Sequence, residues 1–191
     1  HHLMRVCPLP DLQFEKFFVN MRSLILTNLD NFEATPDFIH FLSSLSLHCF
    51  TNEYIYFEKD EETKLVKNLE TEITQTISRS EQPEAKKILC LASYRMLHQY
   101  NWCQKLKALD NLEEVKSRLI EEPYTERAIV TEIPILGEIS DNVSSKVREQ
   151  YEENPYPRWV KIGLPLKARL IYEICAAKNL HLNSKNIQNV I

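Results

Sequence analysis

The chain has 191 residues, of which 43% are hydrophobic and 26% are charged, and its formal net charge is −4. This composition is typical of a globular protein, and a chain of this length can bury roughly 70% of the surface that its unfolded form exposes. No segment reaches the roughly 18 consecutive apolar residues of a membrane-spanning helix, and no continuous basic stripe could neutralise nucleic-acid phosphates. The sequence therefore argues against a membrane span and against nucleic-acid binding.

Apolar spacing predicts an all-α chain of about seven or eight helices in antiparallel pairs. The first helix runs over 12–29, where apolar residues recur every three or four positions. Thr35 is placed as the N-cap of a second helix, with Pro36 in its first turn, and this helix is expected to reach Tyr56.

The middle of the chain predicts a pair of helices. The acidic run 58–62 starts the first of them, which continues with apolar residues every fourth position to Ile77. Ser80 to Pro83 breaks the pattern, and a second helix is expected over 85–100. Carboxylates in a first helical turn are stabilised by the backbone dipoles, so the acidic run is interpreted as a solvated helix start rather than a calcium site.

The rest of the chain divides into three parts. A shorter helix over 112–120 should end near Pro123, because proline lacks the amide donor that the helix needs. An extended arm is expected over 129–140, with strand-like residues at 129–135. Residues 141–191 are interpreted as a helical linker that ends in the start of a strand at 186–191. Residues 5–128 would then form one helical domain, after a tag remnant at residues 1–4.

Glycine is scarce, since only Gly137 and Gly163 occur, whereas average usage predicts about a dozen. Phosphate loops, dinucleotide loops and the Gly-x-Gly turn of methyltransferases all need glycines close together, because the backbone must approach the ligand without a Cβ atom. The chain therefore cannot build any of these loops.

Catalytic and metal-binding constellations are not apparent in the sequence. His40 and His48 are eight residues apart, too far for a metal pair on one helical turn. Adjacent glutamates diverge on a helix, and Cys103 has no histidine nearby to act as its base. The cysteines lack the CxxC spacing of structural zinc sites, which favours reduced thiols and a cytoplasmic protein. We expect no catalytic residue and no metal site.

One segment concentrates unusual residues, from Gln150 to Trp159. Its prolines enforce extended backbone, its aromatic residues supply large apolar area at little entropic cost, and its arginine can bind a carboxylate in a bidentate manner. It predicts either a rigid corner that plugs a hydrophobic seam or a lid over a ligand. The candidate cleft residues are Tyr151, Asn154, Tyr156, Arg158 and Trp159.

This segment resembles the Tyr-Glu-Glu-Asn-Pro-Tyr-Pro-Arg-Trp motif of a bacterial class I S-adenosylmethionine-dependent methyltransferase family. That family is often fused to tetratricopeptide repeats and is similar to rickettsial protein-lysine methyltransferases. Three further segments resemble the family in the same order, at 48–56, 92–97 and 121–127. The resemblance covers roughly residues 35–191.

The resemblance implies a function and a missing part. In the family, the segment similar to 186–191 leads into the first strand and the glycine-rich cofactor loop. We therefore expect a non-catalytic helical region in front of a methyltransferase domain, with S-adenosylmethionine bound only by the full-length parent. The expected partners are that domain and a protein substrate, and an exposed seam could favour a homodimer.

Two alternatives remain open at this stage. A second, weaker patch is Asn52, Glu53 and Tyr54, although Asn52 and Glu53 could instead satisfy buried backbone groups in the core. The whole chain could equally be a non-enzymatic helical protein–protein interaction module. A complete small enzyme is disfavoured, because no acid/base set or metal set is assembled.

Overall fold

A computed structural model describes residues 2–7, 9, 11–130, 132 and 142–153, all of which belong to the first of the chain's two units, His1–Val160. The described residues are mostly helical and include no strand, so the predicted all-α class is confirmed for this part of the chain. In chain order, the helices are α1 His2–Val6, α2 Leu12–Thr27, α3 Pro36–Thr51, α4 Asp60–Ser78, α5 Ala85–Ala92, α6 Glu113–Lys116, α7 Glu122–Val130 and α8 Asn142–Glu153.

Helix α3 forms the centre of the core. Every residue from Leu42 to Thr51 is buried, and the helix packs against both α1 and α5. The buried hydroxyls on α3 are satisfied by the helix itself, since Ser43 donates to the Ile39 carbonyl at 2.8 Å and Thr51 donates to that of Leu47 at 2.8 Å. Small side chains with internal partners therefore allow neighbouring helices to surround α3 without leaving a buried polar group unpaired.

The predicted start of α3 is confirmed, but its predicted end is wrong. Thr35 accepts a hydrogen bond from the Phe38 amide at 3.3 Å, and Pro36 lies in the first turn. The helix ends at Thr51 rather than near Tyr56, because Glu53 takes a left-handed conformation with φ 56°. The amide of Tyr54 then donates back to the Cys49 carbonyl at 2.9 Å, which is the hydrogen bond of a Schellman C-cap.

The helix predicted over 85–100 is also too long. Helix α5 ends at Ala92, and a separate 3-10 turn follows at Leu97–Gln99. Ser93 is the C-cap residue, and its hydroxyl donates to the Cys90 carbonyl at 2.7 Å. Tyr94 and Arg95, which follow, are held instead by side chains of the loop and helix at 58–70. Polar anchoring from outside the helix therefore overrides the apolar spacing.

Pro123 does not end a helix, contrary to the prediction. A π-helical segment, Ser117–Glu121, joins α6 to α7, and the Glu122 amide donates to the Ser117 carbonyl, five residues back. A proline clashes with the carbonyl four residues before it, and a widened turn at that position relieves the clash. The helix therefore continues through Pro123 to Val130.

The extended arm predicted over 129–140 is wrong at its start. Ile129 and Val130 belong to α7, and the Glu132 amide donates to the Ile129 carbonyl at 2.8 Å in a turn. The remainder of the arm, at 131 and 133–140, lies outside the described residues. The helical linker predicted from residue 141 begins as α8, whereas the strand predicted at 186–191 also lies outside the described residues.

Candidate functional site

The aromatic motif is only partly within the described residues. Tyr151 lies in the last turn of α8 by its backbone, and its side chain is not described. Asn154, Tyr156, Arg158 and Trp159 lie outside the described residues. Their role in a cleft therefore remains a prediction.

The second predicted patch lies at the end of α3 and contacts the domain's own core. The Asn52 amide donates to the Tyr56 hydroxyl at 3.1 Å and lies 3.0 Å from His48 Nε2. The Tyr54 hydroxyl donates to the Ala92 carbonyl at 3.2 Å. Glu53 supplies the left-handed residue of the C-cap. Residues that satisfy buried polar groups in the core are expected to make such contacts.

His48 is a fully buried imidazole at the centre of this cluster. Its Nδ1 lies 3.2 Å from the Met4 carbonyl, and its Nε2 lies 2.7 Å from the Tyr56 hydroxyl. A carbonyl can only accept, so Nδ1 carries the proton and Nε2 accepts from Tyr56. Burial lowers the pKa of His48 and raises that of Tyr56 to about 12, so both groups are neutral near pH 7. Helix α1 is thereby bound to α3 through one neutral ring.

Arg22 is a buried cation on the core face of α2. Its guanidinium donates to the Ser93 carbonyl at 3.3 Å and to the Phe57 carbonyl at 3.0 Å, and its Cζ lies 4.0 Å from the centre of the Tyr94 ring. Backbone carbonyls and an aromatic face thus compensate the positive charge of Arg22, which is shielded from solvent. Arg22 joins the loop after α3 to the turn after α5.

Tyr94 connects Arg22 to a buried carboxylate. Its hydroxyl donates to Glu62 at 2.7 Å, and the other oxygen of Glu62 accepts from the Lys59 amide at 3.1 Å at the start of α4. Burial raises the pKa of Tyr94, and the hydrogen bond to Glu62 raises it further, so the hydroxyl stays protonated and acts as a donor. Burial also raises the pKa of Cys49 and of Cys90 to about 12, so these thiols are not nucleophiles.

A partly exposed ion cluster lies beside this core. Arg95 binds Glu58 through two hydrogen bonds of 2.7 and 2.8 Å, and Arg95 Nε lies 3.7 Å from Glu70. The bidentate bond from Arg95 lowers the pKa of Glu58. Tyr100, which donates to Glu70, stacks on Trp102 with ring centres 4.6 Å apart. The turn after α5 is therefore fixed to α4 by charge-assisted bonds.

Arg118 joins a third segment to the same core. It lies in the π-helical segment before Pro123 and donates to the Thr51 hydroxyl at 2.9 Å and to the Arg5 carbonyl. Nearby, the Tyr124 hydroxyl lies 3.5 Å from the Cys103 thiol. Thr51 in segment 48–56 thus contacts Arg118, and Tyr54 in the same segment contacts Ala92 in segment 92–97, although these residues are far apart in the sequence.

An apolar row on α2 faces solvent. Phe14, Phe17, Met21 and Leu24 lie on one side of the helix, next to the buried side that carries Phe18, and they are called the α2 row below. Phe14 is 51%, Phe17 is 50% and Leu24 is 52% exposed, whereas Met21 is half-buried. These side chains belong to the apolar spacing that predicted the first helix, and the structure buries only the adjacent side.

A shallow cavity of about 360 Å³ lies between α1, the start of α3 and α6. Arg5 and Glu114, which form an ion pair, line it together with His40 and Ser43. Within the residues that the structure describes, no group of three His, Cys, Asp or Glu side chains could hold a metal ion. None of the described helices is long and apolar enough to cross a membrane.

Sequence reasoning missed the buried charges. Arg22 has one visible signal, since it interrupts an otherwise apolar face of α2 between Phe18 and Ile25. Glu62 and Arg118 have none, because their partners lie 32 and 67 residues away along the chain. No known protein family, curated protein or solved structure matches this chain.

Proposed function

We propose that the chain is the helical, non-catalytic region that precedes the catalytic domain of a class I S-adenosylmethionine-dependent methyltransferase in the bacterial cytoplasm. Its role would be to position a protein substrate, and the aromatic motif at 150–159 would pack over the neighbouring cleft. One structural observation supports the proposal. Two of the segments that carry the resemblance, 48–56 and 92–97, are in contact in the fold, because the Tyr54 hydroxyl donates to the Ala92 carbonyl at 3.2 Å.

Such contacts are expected if the residues that resemble the family maintain the fold of one common domain. Arg22 also joins these two segments, since its guanidinium donates to the Tyr56 carbonyl at 3.4 Å and to the Ser93 carbonyl at 3.3 Å. The proposal assigns S-adenosylmethionine to the following domain, because this chain has no close pair of glycines to approach the cofactor.

Calorimetric titration of S-adenosylmethionine and S-adenosylhomocysteine tests the proposal. The two proteins are this chain and a longer one that continues past Ile191 into the following coding sequence. Binding by the longer protein alone supports an accessory region. Within the longer protein, Arg158→Ala should weaken substrate methylation, whereas Lys67→Ala on exposed α4 should not. A stop codon directly after Ile191, or no binding by the longer protein, would overturn the assignment.

A second candidate function is a helical interaction module that performs no chemistry. The α2 row favours it, because exposed phenylalanines in a continuous row are unusual on a monomeric surface and are typical of interfaces. An interaction module needs no cofactor. It would therefore bind its partner with unchanged affinity in the presence or absence of S-adenosylmethionine, and cofactor-dependent binding would contradict it.

A further inference from the structure

We infer that the α2 row is the contact surface of a homodimer in which α2 of one copy packs antiparallel against α2 of a second copy. The inference rests on the second candidate function, since it names the partner of an interaction module. It does not depend on whether a methyltransferase domain follows.

The first argument is the amount of apolar surface. Phe14, Phe17 and Leu24 are each about half exposed, and the loop after α3 adds Ile55 and Phe57, which are 74% and 68% exposed. Arg22 binds the Phe57 carbonyl and so holds this loop next to α2. Because large apolar side chains offer about 200 Å² each, the five side chains expose on the order of 600 Å².

That area matches the requirement of a stable dimer. A standard interface buries about 800 Å² on each partner, and about 65% of a homodimer interface is apolar, which corresponds to roughly 520 Å² on each copy. The exposed apolar surface around α2 therefore suffices for the core of such an interface. A partner with a smaller apolar surface would leave part of the apolar surface around α2 in contact with water.

The second argument is charge. Charged residues make up 26% of the chain, yet from Leu12 to Thr27 the exposed charges are only Glu15 and Lys16, both near one end of the helix. Depletion of charge is typical of the centre of an interface. An antiparallel pairing centred near Val19 places Glu15 opposite Ser23 and Lys16 opposite Arg22, whose side chain is buried in the core of its own copy.

The third argument is shape. The α2 row carries aromatic rings towards its N-terminal end and the smaller Met21 and Leu24 towards its C-terminal end. A two-fold axis between Phe17 and Met21 places each ring against an aliphatic side chain of the other copy. Large side chains then alternate with smaller ones across the contact, which is how packed interfaces reach the density of protein interiors.

Sedimentation velocity of the full chain tests the inference, over protein concentrations from roughly 1 to roughly 100 µM, where interfaces of this size can dissociate. The wild-type chain should shift from monomer to dimer across this range. Phe17→Glu should weaken the association at least tenfold, because it would bury two unpaired carboxylates at the axis. Leu12→Glu is the matched control, since Leu12 is 73% exposed on the same helix but points away from the α2 row, and it should dimerise like wild type.

Circular dichroism and the urea midpoint establish that each variant is folded. If Phe17→Glu does not fold, Leu24→Gln replaces it, with the same expected loss of dimer. A wild-type chain that stays monomeric throughout this concentration range would overturn the inference, and the binding partner of the α2 row would then be a different protein. Equal weakening by Phe17→Glu and Leu12→Glu would also overturn it. Cofactor binding by the longer protein is unaffected by either result, so the two proposals fail separately.

Discussion

The guanidinium carbon of Arg22 lies 4.0 Å from the centre of the Tyr94 ring, and both side chains are buried. The same ring donates its hydroxyl to the buried Glu62 at 2.7 Å. One tyrosine thus separates a buried cation from a buried carboxylate and contacts both. Such an arrangement joins α2, α4 and the turn after α5 at a single point, and it makes the stability of the domain sensitive to each member.

Arg22→Ala should destabilise the domain by about 3 kcal/mol, because it leaves the carbonyls of Ser93 and Phe57 without their donor and opens a cavity beside Tyr94. The free energy of unfolding in urea measures the loss. Lys16→Ala on the exposed side of the same helix is the control and should change stability by less than about 0.5 kcal/mol. Equal effects of the two substitutions would contradict the structural role of Arg22.

Local signals allowed most helices to be predicted from the sequence. The N-cap at Thr35 and the first-turn Pro36 are local features, and the structure reproduces them. The predictions failed where distant residues decide the backbone. Helix α5 ends early because Tyr94 and Arg95 are held by Glu62 and Glu58, which no local pattern can reveal.

The candidate site was less predictable than the fold. Of the two predicted patches, the one at the end of α3 contacts the core, and the aromatic motif after Tyr151 lies outside the described residues. The apolar spacing of α2 indicated which residues are hydrophobic but not which of its two adjacent apolar sides is buried. Helical periodicity shows which arc of the helix surface carries apolar side chains. How much of that arc is buried depends on the positions of the neighbouring helices.

The stability of the domain should fall as the pH drops below about 6.5, because burial lowers the pKa of His48 in the folded state. Above the unfolded pKa both states hold a neutral ring and the group has no effect. Below it the unfolded state binds a proton that the folded state excludes, so stability is lost progressively, by at most about 1.4 kcal/mol for each pH unit, until the pH reaches the lowered pKa.

Urea unfolding of the wild type and of His48→Gln at pH 7.5 and 5.5 measures this effect. The variant is expected to be less stable than the wild type at pH 7.5, since the bonds to Met4 and Tyr56 are altered, but its stability should change less between the two pH values. The comparison avoids the range below pH 5, where carboxylates such as Glu58 also titrate. If the stability of His48→Gln depends on pH as strongly as that of the wild type, groups other than His48 cause the dependence.

Ser80→Gly should stabilise the domain by about 1 kcal/mol. Ser80 has φ 63° at the end of α4, and the Glu81 amide donates to the Thr76 carbonyl at 3.1 Å, so Ser80 occupies the left-handed position of a Schellman C-cap. A side chain with a Cβ atom is strained in that conformation, whereas glycine adopts it readily. Ser23→Gly is the matched control, because Ser23 lies inside α2 in ordinary helical backbone, where replacing serine by glycine costs about 0.5 kcal/mol. The two variants should therefore shift the thermal midpoint in opposite directions, and a fall for both would mean that the α4 cap does not strain Ser80.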